Sequence, residues 1–172
     1  MTVSMLVAAA ENDVIGNDGR IPWRLPADMR RFAAMTSGHP VVMGRVTYDS
    51  IIAKLGRPLP RRHSVVISQR PGLPTGSVTW VASPSAAAEA AESLCERLER
   101  CEWFVIGGAS IYQQMMTYVE AIHLTRVHAH VTGDTAMPSG WTDGFSLVTA
   151  ERVIDTAAEL SYSFIHLGRG AR

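Results

Sequence analysis

Two short apolar runs in the chain each end in glycine and lead directly into a helical pattern. The first is Val41-Val42-Met43-Gly44-Arg45-Val46-Thr47, and the second is Val105-Ile106-Gly107-Gly108-Ala109-Ser110. A short continuous apolar run bounded by a turn residue is typical of a strand buried on both faces. Because strands that alternate with helices form mainly parallel sheets, this pattern predicts an α/β fold.

Further segments along the chain fit the same fold. Ser83 and Pro84 form an N-cap followed by proline at the first helical position. No repeat or linker divides the 172 residues, so one domain over residues 1–172 is predicted. Strands are predicted over residues 3–10, 40–43, 64–67, 77–81, 102–106, 120–128, 145–153 and 160–167, the last two as a hairpin, and helices over residues 27–37, 46–52, 84–100 and 110–116.

Charge is balanced overall but unevenly distributed along the chain. Sixteen Lys and Arg residues match sixteen Asp and Glu residues, which argues against a general nucleic-acid or membrane-surface binder. Residues 1–80 hold ten bases and five acids, whereas residues 81–172 hold six bases and eleven acids. The excess of bases in the first half therefore requires a local explanation, while the acidic excess fits a solvated helix.

Targeting, disulfide and metal patterns are also informative. No apolar run approaches the ~18 residues of a membrane span, and residues 5–10 read as a strand rather than a secretory signal. Cys95 and Cys101 are six residues apart, a spacing that does not place them face to face on a helix. His128 and His130 share a strand face but have no third ligand, so no metal site is predicted. We expect a cytoplasmic protein that binds neither membranes nor nucleic acid.

The glycine turns favour anions. Each turn aims a helix N-terminus past the carboxyl end of a strand, and two such turns could hold the two phosphates of a dinucleotide. Neither the G-x-G-x-x-G fingerprint nor the P-loop pattern occurs. Arg45 with Ser68, Gln69 and Arg70 would suit a further phosphate, such as the one that distinguishes NADP from NAD. Alternatively, the glycines simply end strands and the arginines lie on surface loops.

Asp28 is the most informative single residue. It lies in the first turn of a predicted helix, beside the apolar Met29 and Phe32. In an apolar pocket its pKa would rise unless a cationic or amidine-like partner met the carboxylate. The alternative is an acid that complements the helix dipole.

A basic segment follows the second predicted helix. Arg57, Arg61 and Arg62 surround Pro58-Leu59-Pro60 without interleaved aromatic residues, which suits small carboxylates better than a nucleic acid. Ser110 lacks the G-x-S-x-G context, so a hydrolase has little support.

Taken together and in this order, the motifs resemble dihydrofolate reductase over nearly the whole chain. The matching pieces are Val14-Ile15-Gly16, Ile21-Pro22-Trp23-Arg24-Leu25-Pro26-Ala27-Asp28, Met43-Gly44-Arg45-Val46-Thr47, Arg57-Pro58-Leu59-Pro60, Val105-Ile106-Gly107-Gly108 with Tyr112, Gly133-Asp134-Thr135 and Tyr162-Ser163-Phe164.

The resemblance implies a central eight-stranded, mostly parallel sheet flanked by helices, with an antiparallel C-terminal strand. It also implies an NADPH-dependent oxidoreductase that reduces 7,8-dihydrofolate to 5,6,7,8-tetrahydrofolate in one-carbon metabolism. Such an enzyme is a monomer and a target of antifolate inhibitors.

The resemblance further implies roles for individual residues. Asp28 would pair with the pterin ring N3 and 2-amino group, and Thr125 would share this network through water. Arg62 would hold the glutamate α-carboxylate, while Trp23 and Tyr112 complete the catalytic positions. The remaining substrate contacts would come from Leu6, Val7, Met29, Phe32, Ile51, Arg57 and Ile106.

The implied NADPH contacts come from several segments of the chain. The loop over residues 12–24 would close as a lid, and the Gly107–Gly108 peptide would be cis. The implied cofactor-binding residues are Ala8, Ile15, Gly16, Asn17, Asp18, Gly19, Arg20, Gly44, Arg45, Val46, Thr47, Ser68, Gln69, Arg70, Gly107, Gly108, Ala109, Ser110, Ile111 and Tyr112.

Some positions depart from the family pattern, and two rival interpretations remain. Ala109 replaces a frequent third glycine, Gln69 replaces a frequent cationic residue, and residues 52–55 look like a short insertion before Arg57. A pyrimidine reductase of riboflavin synthesis would share the glycine turns but does not explain residues 23–28. A nucleotide-binding module without catalysis would keep the turns but would not need Asp28.

Overall fold

A computed structural model describes residues 1–170. Its helices are α1 (Pro26–Thr36), α2 (Arg45–Leu55), α3 (Pro84–Arg97) and α4 (Ala109–Met115). Its strands are β1 (Thr2–Ala10), β2 (Val14–Gly16), β3 (Pro40–Gly44), β4 (His63–Ile67), β5 (Val78–Val81), β6 (Glu102–Gly107), β7 (Ala121–Val127), β8 (Thr135–Ala136), β9 (Phe145–Val153) and β10 (Tyr162–Arg169).

Eight of the strands form one sheet, which confirms the predicted fold class. Their order across the sheet is β5-β4-β3-β6-β1-β7-β10-β9. The pairs β3–β4, β3–β6 and β4–β5 are parallel, whereas β10 is antiparallel to both β7 and β9. The protein is therefore α/β with an antiparallel C-terminal strand.

The chain divides into two compact units, and the first consists of Met1–Ser4 and Thr36–Val119. Its centre is the continuous apolar sequence of β3, β4 and β6, in which Val42, Val65 and Val105 are fully buried. The Ser83 side chain accepts a hydrogen bond from the Ala86 amide and caps α3. Glycine-bounded strands and a capped helix therefore build this unit, as their sequence predicts.

The second unit consists of Met5–Met35 and Glu120–Arg172. β10 lies between β7 and β9, and its register places Phe164 opposite Thr125. Leu25, Val127 and Tyr162 form a buried apolar cluster, against which Trp23 packs. This unit holds α1 up to Met35, and with it Asp28.

Three details differ from the expectations. The loop over residues 12–24 contains β2, which pairs with β8 in a separate two-stranded sheet. Residues 52–55 continue α2, which ends at Gly56 in the left-handed conformation with φ 69°. α3 ends at Arg97, three residues earlier than predicted. The single domain over residues 1–172 stays a prediction.

Cys95 is buried and Cys101 is exposed, and both thiols are free, as their spacing predicts. Among residues 1–170 no helix is both long enough and apolar enough to cross a membrane.

Candidate active site

Asp28 lies in the first turn of α1 and is bound by a hydroxyl from another element. Thr125 Oγ1 of β7 donates a hydrogen bond to Asp28 Oδ1 at 2.6 Å. Burial raises the pKa of the Asp28 carboxyl, and the Thr125 hydroxyl and the Arg31 charge only partly oppose that rise. The contact is direct, where the resemblance implied a link through water. The Thr125 hydrogen bond thus fixes one oxygen of the Asp28 carboxyl, and burial makes this carboxyl easier to protonate than an exposed aspartate.

The start of α1 is held in place by Asp155, from the segment between β9 and β10. Asp155 Oδ2 accepts hydrogen bonds from the Ala27 amide at 3.0 Å and from the Tyr162 hydroxyl at 2.5 Å. These bonds, the Tyr162 hydroxyl first, hold the pKa of Asp155 below its usual value. Because Ala27 directly precedes Asp28, Asp155 fixes the turn that presents the Asp28 carboxyl.

The predicted apolar contacts near Asp28 differ in exposure. Leu6 and Val7 on β1 are buried, and Phe32 on α1 is partly buried. Met29, by contrast, is 50% exposed in the free protein. The structure thus offers apolar side chains on β1 and α1 in the unit that carries Asp28.

The predicted lid loop is attached to the segment around residues 131–141. Asn12 exchanges two hydrogen bonds with the Val131 backbone, and the Asp18 amide donates to Asp134 Oδ2 at 3.0 Å. Asp13 Oδ1 accepts from Arg126 at 2.9 Å and from the Trp141 indole at 3.0 Å. The same loop lines a cleft of about 590 Å³, formed by Asn17, Asp18, Arg20, Ile21, Pro22, Trp23, Arg24 and Glu159.

The two glycine turns of the first unit lie side by side, because β3 pairs with β6 and Met43 stands opposite Gly107. A Cβ at Gly44 would lie 2.8 Å from the Ile111 side chain. Gly107 has φ 117°, and a Cβ there would lie 3.0 Å from the Tyr112 hydroxyl. Both positions therefore require glycine, because a side chain would displace Ile111 or Tyr112. The Gly107–Gly108 peptide is cis, as the resemblance implied.

Arg45 is brought together with the end of β4, as its sequence context predicts. Arg45 Nη1 donates to the Arg70 carbonyl at 2.5 Å, and Ser68 Oγ donates to the same carbonyl at 2.8 Å. The Arg45 guanidinium also lies 5.2 Å from the Trp80 ring and 3.4 Å from Asp49. Sequence reasoning missed Trp80, because its contact with Arg45 joins residues on different elements that no local pattern connects.

Of the three arginines in the basic segment before β4, Arg62 is buried, whereas Arg57 and Arg61 are exposed. Arg62 is only 9% exposed, and it donates from Nε to Thr36 Oγ1 at 3.0 Å and from Nη1 to the Pro60 carbonyl at 2.6 Å. Burial lowers the pKa of Arg62 from its ordinary high value. Arg57 is exposed, and the helix preceding it makes the predicted insertion part of α2. Arg62 is therefore the arginine that the fold holds in a fixed orientation.

The remaining predicted residues are distributed between the two units. Ile51, Ile106 and Ala109 are partly buried in the first unit, and Ile111 and Tyr112 are buried there. Ala8, Ile15 and Gly16 are partly buried in the second unit. Within the described residues no three His, Cys, Asp or Glu side chains are placed to hold a metal ion.

A mostly parallel sheet with helices between its strands defines the chain as an α/β protein; its first unit carries glycine turns at the ends of two paired strands, and its second unit a partly buried carboxyl on a helix. The family model for dihydrofolate reductase matches residues 2–169. The chain is 42% identical over 167 residues to dihydrofolate reductase HdrB of Haloferax volcanii, covering 90% of this chain and 86% of that protein. It is 35% identical over 150 residues to dihydrofolate reductase of Bacillus subtilis, covering 87% and 83%.

A solved structure agrees with these sequence matches. The structure of dihydrofolate reductase from Enterococcus faecalis, complexed with NADP(H) and RAB-propyl, has a TM-score of 0.82 and 22% identity, with coverage of 99% of this chain and 97% of that one. The chain belongs to the dihydrofolate reductase family.

Proposed function

We propose that the protein reduces 7,8-dihydrofolate to 5,6,7,8-tetrahydrofolate with NADPH. The observation that carries this proposal is the partly buried Asp28 carboxyl, which accepts the Thr125 hydroxyl on one oxygen. A carboxylate presents two oxygens, so it can accept a pair of parallel hydrogen bonds from the pterin N3–H and 2-amino group. These hydrogen bonds from the pterin compensate for the free-energy cost of removing the Asp28 charge from water.

Asp28 acts in this mechanism by orienting the ring and raising its proton affinity. Reduction at carbon 6 requires a proton at the neighbouring N5, and a buried negative charge favours the protonated pterin. Thr125 fixes the rotation of the carboxyl through its 2.6 Å hydrogen bond. A water molecule delivers the proton, and the loop over residues 12–24 excludes bulk solvent when it closes. Trp23 anchors the end of this loop by packing on the Leu25 cluster.

Arg62 binds the glutamate α-carboxylate of the substrate. Its guanidinium is held by Thr36 and Pro60, so little side-chain freedom is lost when a carboxylate pairs with it. Arg57, which is exposed, supports this end of the substrate only by its charge.

The residues of the first unit fit a phosphorylated dinucleotide. NADPH, when bound, supplies the hydride. The backbone of the turns at Gly44 and at Gly107–Gly108 would contact its phosphates, and Arg45, Ser68 and Arg70, which hydrogen bonds to the Arg70 carbonyl bring together, would hold the 2′-phosphate. The other predicted cofactor contacts belong to the same proposal.

We also propose that the enzyme is a monomer in the cytoplasm and is inhibited by antifolates. The two free thiols support a reducing compartment. Sedimentation and fractionation of the source cells test the first two statements, and an inhibition curve with a diaminopyrimidine tests the third.

The reduction is tested by following NADPH absorbance with dihydrofolate, and with NADH in parallel. In Asp28→Asn, kcat/KM at pH 7 should fall by about 100-fold or more, because the pterin loses its ionic partner. Asp143→Asn, at an exposed acid in the same unit, serves as the matched control and should leave kcat/KM unchanged. Absence of substrate-dependent NADPH oxidation by the unaltered protein would refute the proposed function.

A further inference from the structure

Arg31 lies one helical turn after Asp28, on the same side of α1. Residues three apart on a helix are neighbours, and the two opposite charges interact across this turn. The Arg31 guanidinium carbon lies 4.4 Å from the centre of the Phe164 ring, and Nη2 lies 3.5 Å from His123 Nδ1. The arginine is therefore held from two strands, β7 and β10, rather than free in solvent.

Arg31 contacts His123, and the His123 ring stacks on the ring of His166. The two histidines stand directly opposite each other on β7 and β10, with ring centres 4.6 Å apart and planes inclined by 19°. Burial, with the His166 and Arg31 charges, lowers the pKa of His123 to about 4. At neutral pH His123 is thus uncharged, and its Nδ1 can accept the Arg31 N–H.

The charged and titratable groups around this pair come from four elements. Besides Asp28 and Arg31 on α1, they are His123 on β7, His166 and Tyr162 on β10, and Glu151 on β9. Burial lowers the pKa of Arg31, but Asp28 and Glu151 oppose this, so Arg31 keeps its charge throughout the working pH range. Arg31 is the cation whose charge opposes the rise in the pKa of Asp28.

A fixed cation beside a buried carboxyl favours its ionised form and so opposes the effect of burial. We propose that Arg31 is a positioning residue of the reduction, whose anchored charge moves the protonation range of Asp28 to lower pH and thereby widens the pH range of the enzyme. This rests on the proposed function for its catalytic consequence. The protonation of Asp28 itself belongs to the free protein and can be measured without substrate.

The direct test is a carbon-13 NMR titration of the Asp28 carboxyl in the free, full-length protein, with Asp28→Asn identifying its resonance. In Arg31→Met the midpoint should rise by roughly 0.5–1 pH unit, because the opposing cation is gone. Arg31→Lys keeps the charge and should return the midpoint most of the way. Arg30→Met removes an equal charge from the exposed neighbouring position and should leave the midpoint within about 0.2 unit of the unaltered protein.

The catalytic consequence is read from the pH profile of kcat/KM. Because Asp28 acts in its ionised form, the limb that falls as pH decreases should move upward in Arg31→Met by the same amount as the NMR midpoint, and Arg31→Lys should restore it. If Arg31→Met folds poorly, Arg31→Gln supplies the same measurement. A lowered Tm with unchanged titration and profile would overturn the proposal, since a structural role alone produces that result. If the unaltered protein does not reduce dihydrofolate, the proposed function fails, whereas the titration still decides whether Arg31 controls Asp28.

Discussion

The two compact units differ in the kind of group that each presents to a ligand. In the first unit, Gly44 and Gly107 leave their backbone without a side chain, and Ile111 and Tyr112 pack where a Cβ would lie. In the second unit, Asp28 provides a buried carboxyl that depends on Thr125 from a distant part of the chain. The first unit thus offers backbone groups to a ligand, whereas the second offers a carboxyl whose charged form is disfavoured by burial.

This difference has a thermodynamic consequence. A glycine that the fold requires serves stability and ligand binding together, because any side chain would disturb both. A buried carboxyl serves binding but weakens the free protein, since burial disfavours its charged form. We therefore expect a substitution at a required glycine of the first unit to lower both ligand binding and stability. A substitution of the Asp28 carboxyl in the second unit should lower ligand binding but raise the stability of the free protein.

The largest effect should follow Gly107→Ala. An alanine at φ 117° is strained and would meet the Tyr112 hydroxyl, so we expect a loss of about 1–3 kcal/mol in stability and at least a ~10-fold weaker NADPH affinity. Gly76→Ala is the matched control in the same unit, since a Cβ there has no atom within 4 Å and its φ is not in the left-handed region. Thermal unfolding and fluorescence titration with NADPH check both variants. Equal affinities in the two variants would contradict the role given to Gly107.

A smaller effect of opposite sign is expected for Asp28→Asn in the free protein. The pKa of Asp28 is raised on folding, so its contribution to stability is complete below the ordinary value of 3.8 and is lost as pH rises through the folded value. Asparagine does not ionise, so the variant does not lose this stability as pH rises. Its Tm at pH 7 should exceed that of the unaltered protein by a few degrees. The difference should disappear on acidification toward pH 3.8. Scanning calorimetry across this range would show the idea to be wrong if the two curves coincide at pH 7.

The smallest effect concerns His123, which supports Arg31. Its pKa falls from 6.5 to about 4 on folding, so the stability that it contributes above pH 6.5 is lost as pH falls toward 4. In His123→Phe the Tm should therefore decline less steeply over this window. His130→Phe, at an exposed histidine in the same unit, should retain the original slope. Identical slopes for the two variants would mean that His123 does not titrate as the structure indicates.

Predictability from sequence follows the same division between the units. Gly44 and Gly107 end apolar runs, so both turns could be predicted with their flanking strands and helices. The packing that requires glycine at Gly44 could not, because it comes from Ile111 on the distant α4. The first turn of α1 and the position of Asp28 were also predictable from the local pattern. Strands β2 and β8 were not, because they have three and two residues and lie in polar segments.

The support around Asp28 could not be predicted from spacing. Thr125 entered only through the family resemblance, and its direct 2.6 Å contact depends on how α1 packs on β7. Arg31 looks like an ordinary helix-surface arginine until the β7–β10 register places His123 opposite His166. Asp155 lies in an irregular segment, and nothing in its local sequence connects it to Ala27. These contacts depend on tertiary pairing between distant residues, which periodicity does not encode.

The two thiols, finally, make the native sequence convenient for site-selective chemistry. Burial raises the pKa of the Cys95 thiol to about 11, so almost none of it is the nucleophilic thiolate at neutral pH. Cys101 is exposed at the start of the segment that leads into β6. A maleimide or a spin label added to the folded protein should therefore attach at one defined position without any engineered cysteine, and the protein can carry a single reporter through the experiments above.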